Sequence, residues 1–331
     1  MGEAKNTDAG RVLLTIVVLS RQNTSYTFQR ALNSLLGQSA APCEILVIDR
    51  NNAGDEYSLS LQEDMAHYPD IRLLAAPDTG GAECRNAALK AARGEFISFT
   101  DGMDLWYPDK AERQIRKLRV NRELSAACCN GLYPGTSAQG MERRPIFTDL
   151  KAGPLEWILS DPVRLSGQCV YRRAALIGIG GFDTRLSAEY DADAMIRLSA
   201  SSQVAILPEI LFESEKTQSN HSLSNEYDAA KVLLYKNYDQ YLRNRRLAHR
   251  YQMRLASKAL AAHLWAQAGI HAAQAVAKAP LHSLSRLLGE AGALAVRRAR
   301  FCLRSARLAL LRRLILRQLL DLRGQKEASP Q

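Results

Sequence analysis

Between Val12 and Leu118 short apolar runs alternate with segments whose apolar residues recur at a helical period near 3.6, and this alternation limits the fold more than any other feature. Val12–Leu19 (VLLTIVVL) is an apolar run too short to span a bilayer and suited to a buried strand. Phe28, Ala31, Leu32, Leu35 and Leu36 then fall on one helical face. Strands are predicted over Glu44–Asp49, Ile71–Ala75 and Glu95–Thr100. A small-residue helix is predicted over Cys84–Ala92, and Pro108 opens another over Asp109–Leu118. Strand–helix alternation of this kind predicts an α/β architecture, Rossmann-like, with a mostly parallel sheet between helices.

In such sheets ligands bind beyond the carboxyl ends of the strands, so the residues standing there carry information. They are Ser20–Asn23, Asp49 and Thr100–Asp104. Asp101 and Asp104 sit in T-D-G-M-D-L-W, directly after the strand EFISFT. Carboxylates on such a turn suit Mg²⁺ or Mn²⁺ and, through the metal, a diphosphate. Turn aspartates also arise for local hydrogen bonding, so the pair by itself does not decide between these roles. Trp106 is expected to pack the turn onto the sheet. A dinucleotide-binding glycine motif is missing after the first strand.

A less regular stretch follows to Asn225, with Gly180–Gly181–Phe182–Asp183 and the pair Asp191/Asp193. From Glu226 onward the pattern is almost wholly helical. Gly269 and Pro280 are expected to divide 256–279 into two short helices, with His263 and His271 serving helix packing. The domain expectation is therefore residues 1–225 for the α/β part and 226–331 for a basic helical extension.

The net charge of +10 divides unevenly along the chain. Residues 1–242 carry 26 basic and 31 acidic side chains, a net of −5, whereas 243–331 carry 18 and 3, a net of +15. The basic character belongs to the C-terminal part, where arginines and leucines interleave between Ala295 and Leu322. That pattern points to an anionic membrane surface before a partner helix. Nucleic acid ranks last, because no groove-reading motif or aromatic interleaving accompanies the charge. The six cysteines form no C-x-x-C pair and no export signal is recognisable, so the expectation is reduced thiols in the cytoplasm.

Several segments appear in a fixed order. They are R-A-L-N-S-L-L-G-Q (Arg30–Gln38), E-I-L-V-I-D-R-N-N (Glu44–Asn52) and G-G-A-E-C-R-N-A-A-L (Gly80–Leu89). They continue as G-E-F-I-S-F-T-D-G-M-D-L-W-Y-P-D-K-A-E-R-Q (Gly94–Gln114), R-R-A-A-L-I-G-I-G-G-F-D (Arg172–Asp183) and Y-D-A-D (Tyr190–Asp193). In order and spacing, residues 12–225 resemble the family 2 inverting glycosyltransferases, which have the GT-A fold. The resemblance implies direct displacement of a sugar from a nucleotide donor onto a glycan or lipid-linked acceptor, with inversion. It implies Asp191 as general base, matching the Asp of the family's E-D motif. Asp49, Arg50, Arg85, Asn86 and Asp101 match donor-site positions, and Asp101 is the first Asp of the D-x-D motif.

This chain departs from the family pattern at several of these places. Met103 stands where the second Asp of D-x-D ligates a metal, which leaves Asp104, one residue further on, to join Asp101 as a ligand for Mg²⁺ or Mn²⁺. Arg50 replaces an Asp that contacts the donor base, Gln22 an aromatic that stacks on it, and Tyr190 the Glu of E-D. Two readings follow. Either the enzyme is active with an altered donor arrangement, Arg50 and Arg21 supplying positive charge to the diphosphate, or the chain is a non-catalytic glycan- or partner-binding module on the same scaffold.

Overall fold

The computed structural model describes residues 12–40, 43–76, 80–134, 141–144, 166–214 and 222–278. Among them nine strands form one sheet: β1 (Leu14–Ser20), β2 (Cys43–Asp49), β3 (Arg72–Ala75), β4 (Phe96–Asp101), β5 (Leu105–Trp106), β6 (Leu124–Pro134), β7 (Met141–Arg144), β8 (Cys169–Arg172) and β9 (Gln203–Glu213). Their order is β3-β2-β1-β4-β8-β6-β9-β5, with β7 beside β6. The first four are mutually parallel, β8 is antiparallel to both β4 and β6, and β6 is parallel to β9.

Every residue of β1 is buried, which a strand can satisfy only with both faces of the sheet covered. Side chains alternate accordingly. Val17 and Leu19 join one core cluster, while Leu14, Ile16 and Val18 join the other. The second cluster is closed by α1 (Ser25–Leu36), α2 (Glu56–Ala66) and α4 (Lys110–Val120), through Phe28, Leu32 and Leu35, Leu61 and Met65, and Ile115 and Leu118. The first is closed by α3 (Gly81–Ala91), α5 (Arg173–Gly178) and α6 (Tyr190–Ser201), and by the helices that follow the sheet: α7 (Leu223–Lys236), α8 (Tyr238–Arg243) and α9 (Arg245–Ala261). Tyr227, Leu233, Tyr241, Tyr251 and Leu255 of these last helices lie in the same cluster as Val17 of the central strand. The described residues through Ala275 accordingly belong to one compact unit.

Two expectations need correction. The break in the C-terminal helices falls at His263, not at Gly269, and α10 (Trp265–Lys278) runs straight through the glycine. His263 has φ 60 and donates its N–H to Leu260 O, while Leu264 N–H reaches Ala259 O; this is a Schellman stop with histidine in the left-handed position. The cysteines are not all thiols. Cys128 and Cys169 are 41 residues apart in sequence but directly opposed across the antiparallel β6–β8 ladder, Cα atoms 4.2 Å apart, and they form a disulfide. The segment Ala295–Leu322 lies outside the described residues. Among the described residues no helix is long and apolar enough to cross a membrane.

Candidate active site

Strand register brings the sequence candidates to one edge. Ser20 pairs with Asp49 across β1–β2, and Leu19 with Asp101 across β1–β4, so both aspartates stand at the carboxyl end of the parallel sheet. Arg50 follows Asp49 and is tied to that edge by its N–H on Ser20 O, 2.9 Å. Asp49 itself is buried and engaged. One oxygen accepts from Asn51 N and Nδ2 (2.9 and 2.8 Å), and the other from Ser58 Oγ (2.7 Å). Asn51 in turn accepts from Gln22 N at 2.7 Å, which holds the left-handed Gln22 (φ 55) at the end of β1. Asn51 and Ser58, absent from the sequence expectation, thus shape this edge.

Arg85 and Asp191 form the centre. Arg85, on α3, is buried, and its Nε lies 3.1 Å from Asp191 Oδ1. Its two amino groups reach Gly81 O (3.1 Å), Tyr190 Oη (3.2 Å) and Ser166 Oγ (3.3 Å), and its guanidinium stacks 4.8 Å from the Tyr190 ring centroid. Tyr190 is therefore part of the same buried cluster as Arg85 and Asp191. It comes so close to α3 that a Cβ on Gly81 would stand 2.2 Å from its hydroxyl oxygen. The motif position revealed where Tyr190 is, but only the packing reveals its partner.

Burial pushes the Asp191 carboxyl above the usual carboxylate range; Arg85 draws it back and Asp101 adds repulsion. The Arg85 guanidinium is desolvated yet held firmly charged by Asp191, Tyr190 and Asp101. Asp191, Arg85, Asp101 and Tyr190 thus share one electrostatic cluster. A carboxylate with a raised pKa, paired to a fixed cation and still partly open to solvent, has the properties of a general base.

Asn86 has a different position from Arg85. Its amide donates to Phe182 O and accepts from Phe182 N, both at 2.8 Å. It clamps the Gly180–Phe182 turn, where Gly181 has φ +74 and a Cβ would meet Asn86 Oδ1 at 2.5 Å. Asp104 also turns inward. It is 2 % exposed, and its Oδ2 accepts from Thr100 Oγ1 and Asp101 N, 3.2 and 3.1 Å. Beneath it lies the fully buried Lys110, whose ammonium donates to Gln114 and sits 3.6 Å from the Trp106 ring; burial lowers its pKa to about 8. Trp106 packs the turn as expected, its Nε1–H on Thr100 Oγ1.

Of the expected pair Asp101 and Asp104, this arrangement leaves Asp101 to meet a divalent cation; Mg²⁺ and Mn²⁺ are commonly held through one or two protein carboxylates together with substrate phosphates and water. These ions require hard oxygen ligands, whereas Met103 offers a thioether and Asp104 is engaged in its own turn. Among the described residues no three His, Cys, Asp or Glu side chains gather as a metal group.

A family model described as Glycosyl transferase family 2 matches residues 15–180, half of the chain. The chain belongs to that family. Within family 2 it is similar to the Escherichia coli UDP-Glc:alpha-D-GlcNAc-diphosphoundecaprenol beta-1,3-glucosyltransferase WfgD, 32% identical over 111 residues, covering 33% of this chain and 42% of that protein. It is also similar to the succinoglycan biosynthesis protein ExoO of Rhizobium meliloti, 33% identical over 103 residues, covering 30% and 28%. The chain thus matches less than half the length of these relatives. Among solved structures it resembles the mannosyltransferase PcManGT from Pyrobaculum calidifontis in complex with GDP-Man and Mn²⁺, with TM-score 0.56, 19% identity, and coverage of 86% of this chain and 81% of that one. It also resembles Staphylococcus aureus TarS 1–349 in complex with UDP-GlcNAc, with TM-score 0.53, 18% identity, and coverage of 68% and 66%. At these identities the likeness establishes the fold, which is GT-A.

Proposed function

We propose that this family 2 chain transfers a sugar from a nucleotide-sugar donor to a glycan or lipid-linked acceptor, inverting the anomeric centre, in the synthesis of a surface polysaccharide or glycoconjugate. The observation that carries the reading is the Arg85–Asp191 pair, a partly open carboxylate with a raised pKa at the same sheet edge as Asp101. In this reading Asp191 takes the proton of the acceptor hydroxyl, the oxygen attacks the anomeric carbon, and the nucleoside diphosphate leaves from the opposite face. Arg50 and Arg21, at the carboxyl ends of β2 and β1, supply positive charge to the departing diphosphate, and Asp49 and Asp101 line the donor edge. No step is assigned to a metal. The names of the relatives support the substrate classes: WfgD carries UDP-Glc and a diphosphoundecaprenol acceptor in its name, and ExoO is named for succinoglycan. In this reading the arginine-rich C-terminal part holds the protein at the anionic cytoplasmic face of the membrane.

A second reading, a non-catalytic module on the same scaffold, is favoured by Met103 and the inward Asp104. One experiment separates the two: turnover of UDP-, GDP-, dTDP- and CMP-sugars, with and without Mn²⁺, by the wild type and by Asp191→Asn. Turnover in the wild type that falls by about 10²–10⁴-fold in the variant establishes the enzyme. Binding without turnover of any donor supports the second reading.

A further inference from the structure

We propose that the C-terminal helices α7 and α9 are positioning elements of the active site, clamping the two acidic residues, Glu189 and Asp193, that bracket Asp191. The proposal rests on the reading of Asp191 as the base. Glu189 immediately precedes α6 and has φ 61 and ψ 12, a left-handed conformation that glycine or asparagine would adopt more readily. Its backbone O accepts from Asp193 N at 3.0 Å and so starts the helix that carries Asp191. Its side chain is 9 % exposed, and Oε1 lies 2.5 Å from an Arg254 amino nitrogen and 3.3 Å from Lys258 Nζ, both on α9. Lys258 also binds Glu226 of α7 at 3.0 Å. A non-glycine residue held in a strained conformation by two cations marks a position whose side chain is needed.

The second clamp lies on the other side of Asp191. Asp193 is 1 % exposed and is gripped by Arg197 on Oδ2 (2.9 Å) and by Lys236 of α7 on Oδ1. Lys236 reaches Asp183 as well, at 2.8 Å, and Arg197 holds the carbonyls of Ile179 and Gly181 at 2.6 and 2.7 Å. The first turn of α6 is therefore fixed from both sides, two residues before and two residues after Asp191. Fixing that turn sets where the Asp191 carboxylate stands relative to Arg85 and Asp101. Misplacement of a reacting group by about 1 Å is worth about 100-fold in rate, so the clamps act on turnover through Asp191 without touching the donor.

The test uses the full chain with Glu189→Gly, Lys236→Met, Arg254→Met and Arg254→Lys. Glu189→Gly keeps the left-handed backbone while removing the carboxylate. Lys231→Met is the control; it breaks the Lys231–Asp228 pair on the exposed side of the same helix. Two readouts are taken: amide hydrogen exchange of the Tyr190–Leu198 segment, and kcat and KM for hydrolysis of UDP-glucose or whichever nucleotide sugar the wild type accepts. The expected result is faster exchange in this segment in the clamp variants than in Lys231→Met. With it, kcat should fall by about 10–100-fold while KM moves by less than about 3-fold, and Arg254→Lys should recover most of what Arg254→Met loses. Exchange and kcat indistinguishable from the control, or a loss confined to KM, overturns the proposal. Should the wild type turn over no nucleotide sugar, the reading of Asp191 as a base fails; faster exchange in the variants would still uphold the clamp.

Discussion

Arg85 holds four partners on α3, α6 and the loop before β8, and that crowding makes Asp191 unusual. A base must be deprotonated to act, so kcat/KM falls as pH drops through the pKa of Asp191. Burial raises that pKa and Arg85 only partly offsets it, so the acidic limb of the pH–rate profile should lie above the ordinary carboxylate value of about 4. A limb at or below about 4 would remove Asp191 from this role. Asp191 and Arg85 were legible as motif positions, and so were Asp49 and Asp101 as strand-end carboxylates. The inward turn of Asp104 was not legible, because it depends on Thr100, Lys110 and Trp106 closing beneath it. The amide of Asn86 likewise found its partner in Phe182, 96 residues away.

At the scale of elements, α3 and α6 meet so closely that glycine is required at position 81. Gly81→Ala would place a Cβ 2.2 Å from the Tyr190 hydroxyl and 2.6 Å from its ring. The expected cost is about 1–3 kcal/mol in urea unfolding, and in a Tyr190→Ala background most of it should disappear. Strictly additive losses would show that the two residues do not meet. The strands and helices between Val12 and Leu118 were readable because the strands, buried on both faces, are short continuous apolar runs and the helices carry one apolar face at a helical period. The end of α9 at His263 was not readable, since the left-handed stop there uses a histidine and the nearby glycine at 269 is only a helical residue.

At the scale of the whole molecule, the basic residues after position 225 divide in their roles. Lys236, Arg254 and Lys258 face acidic partners on the GT-A core, whereas the arginines between Ala295 and Leu322 are those proposed to meet the membrane. Deleting residues 283–331 should release the protein from vesicles containing anionic lipid while leaving nucleotide-sugar turnover in place. Co-sedimentation unchanged by the deletion would refute the membrane role. The sequence by itself determined the α/β class, the family and the edge of the sheet where Asp49 and Asp101 gather, because hydrophobic patterning and motif spacing are local properties of the chain. Only the tertiary structure decided that Asp104 turns away, that Cys128 and Cys169 meet, that Tyr190 is the partner of Arg85, and that helices after residue 225 reach back to grip the turn carrying Asp191. Each depends on side chains far apart in sequence being buried together, where a polar group must find a partner and the available partner is set by packing.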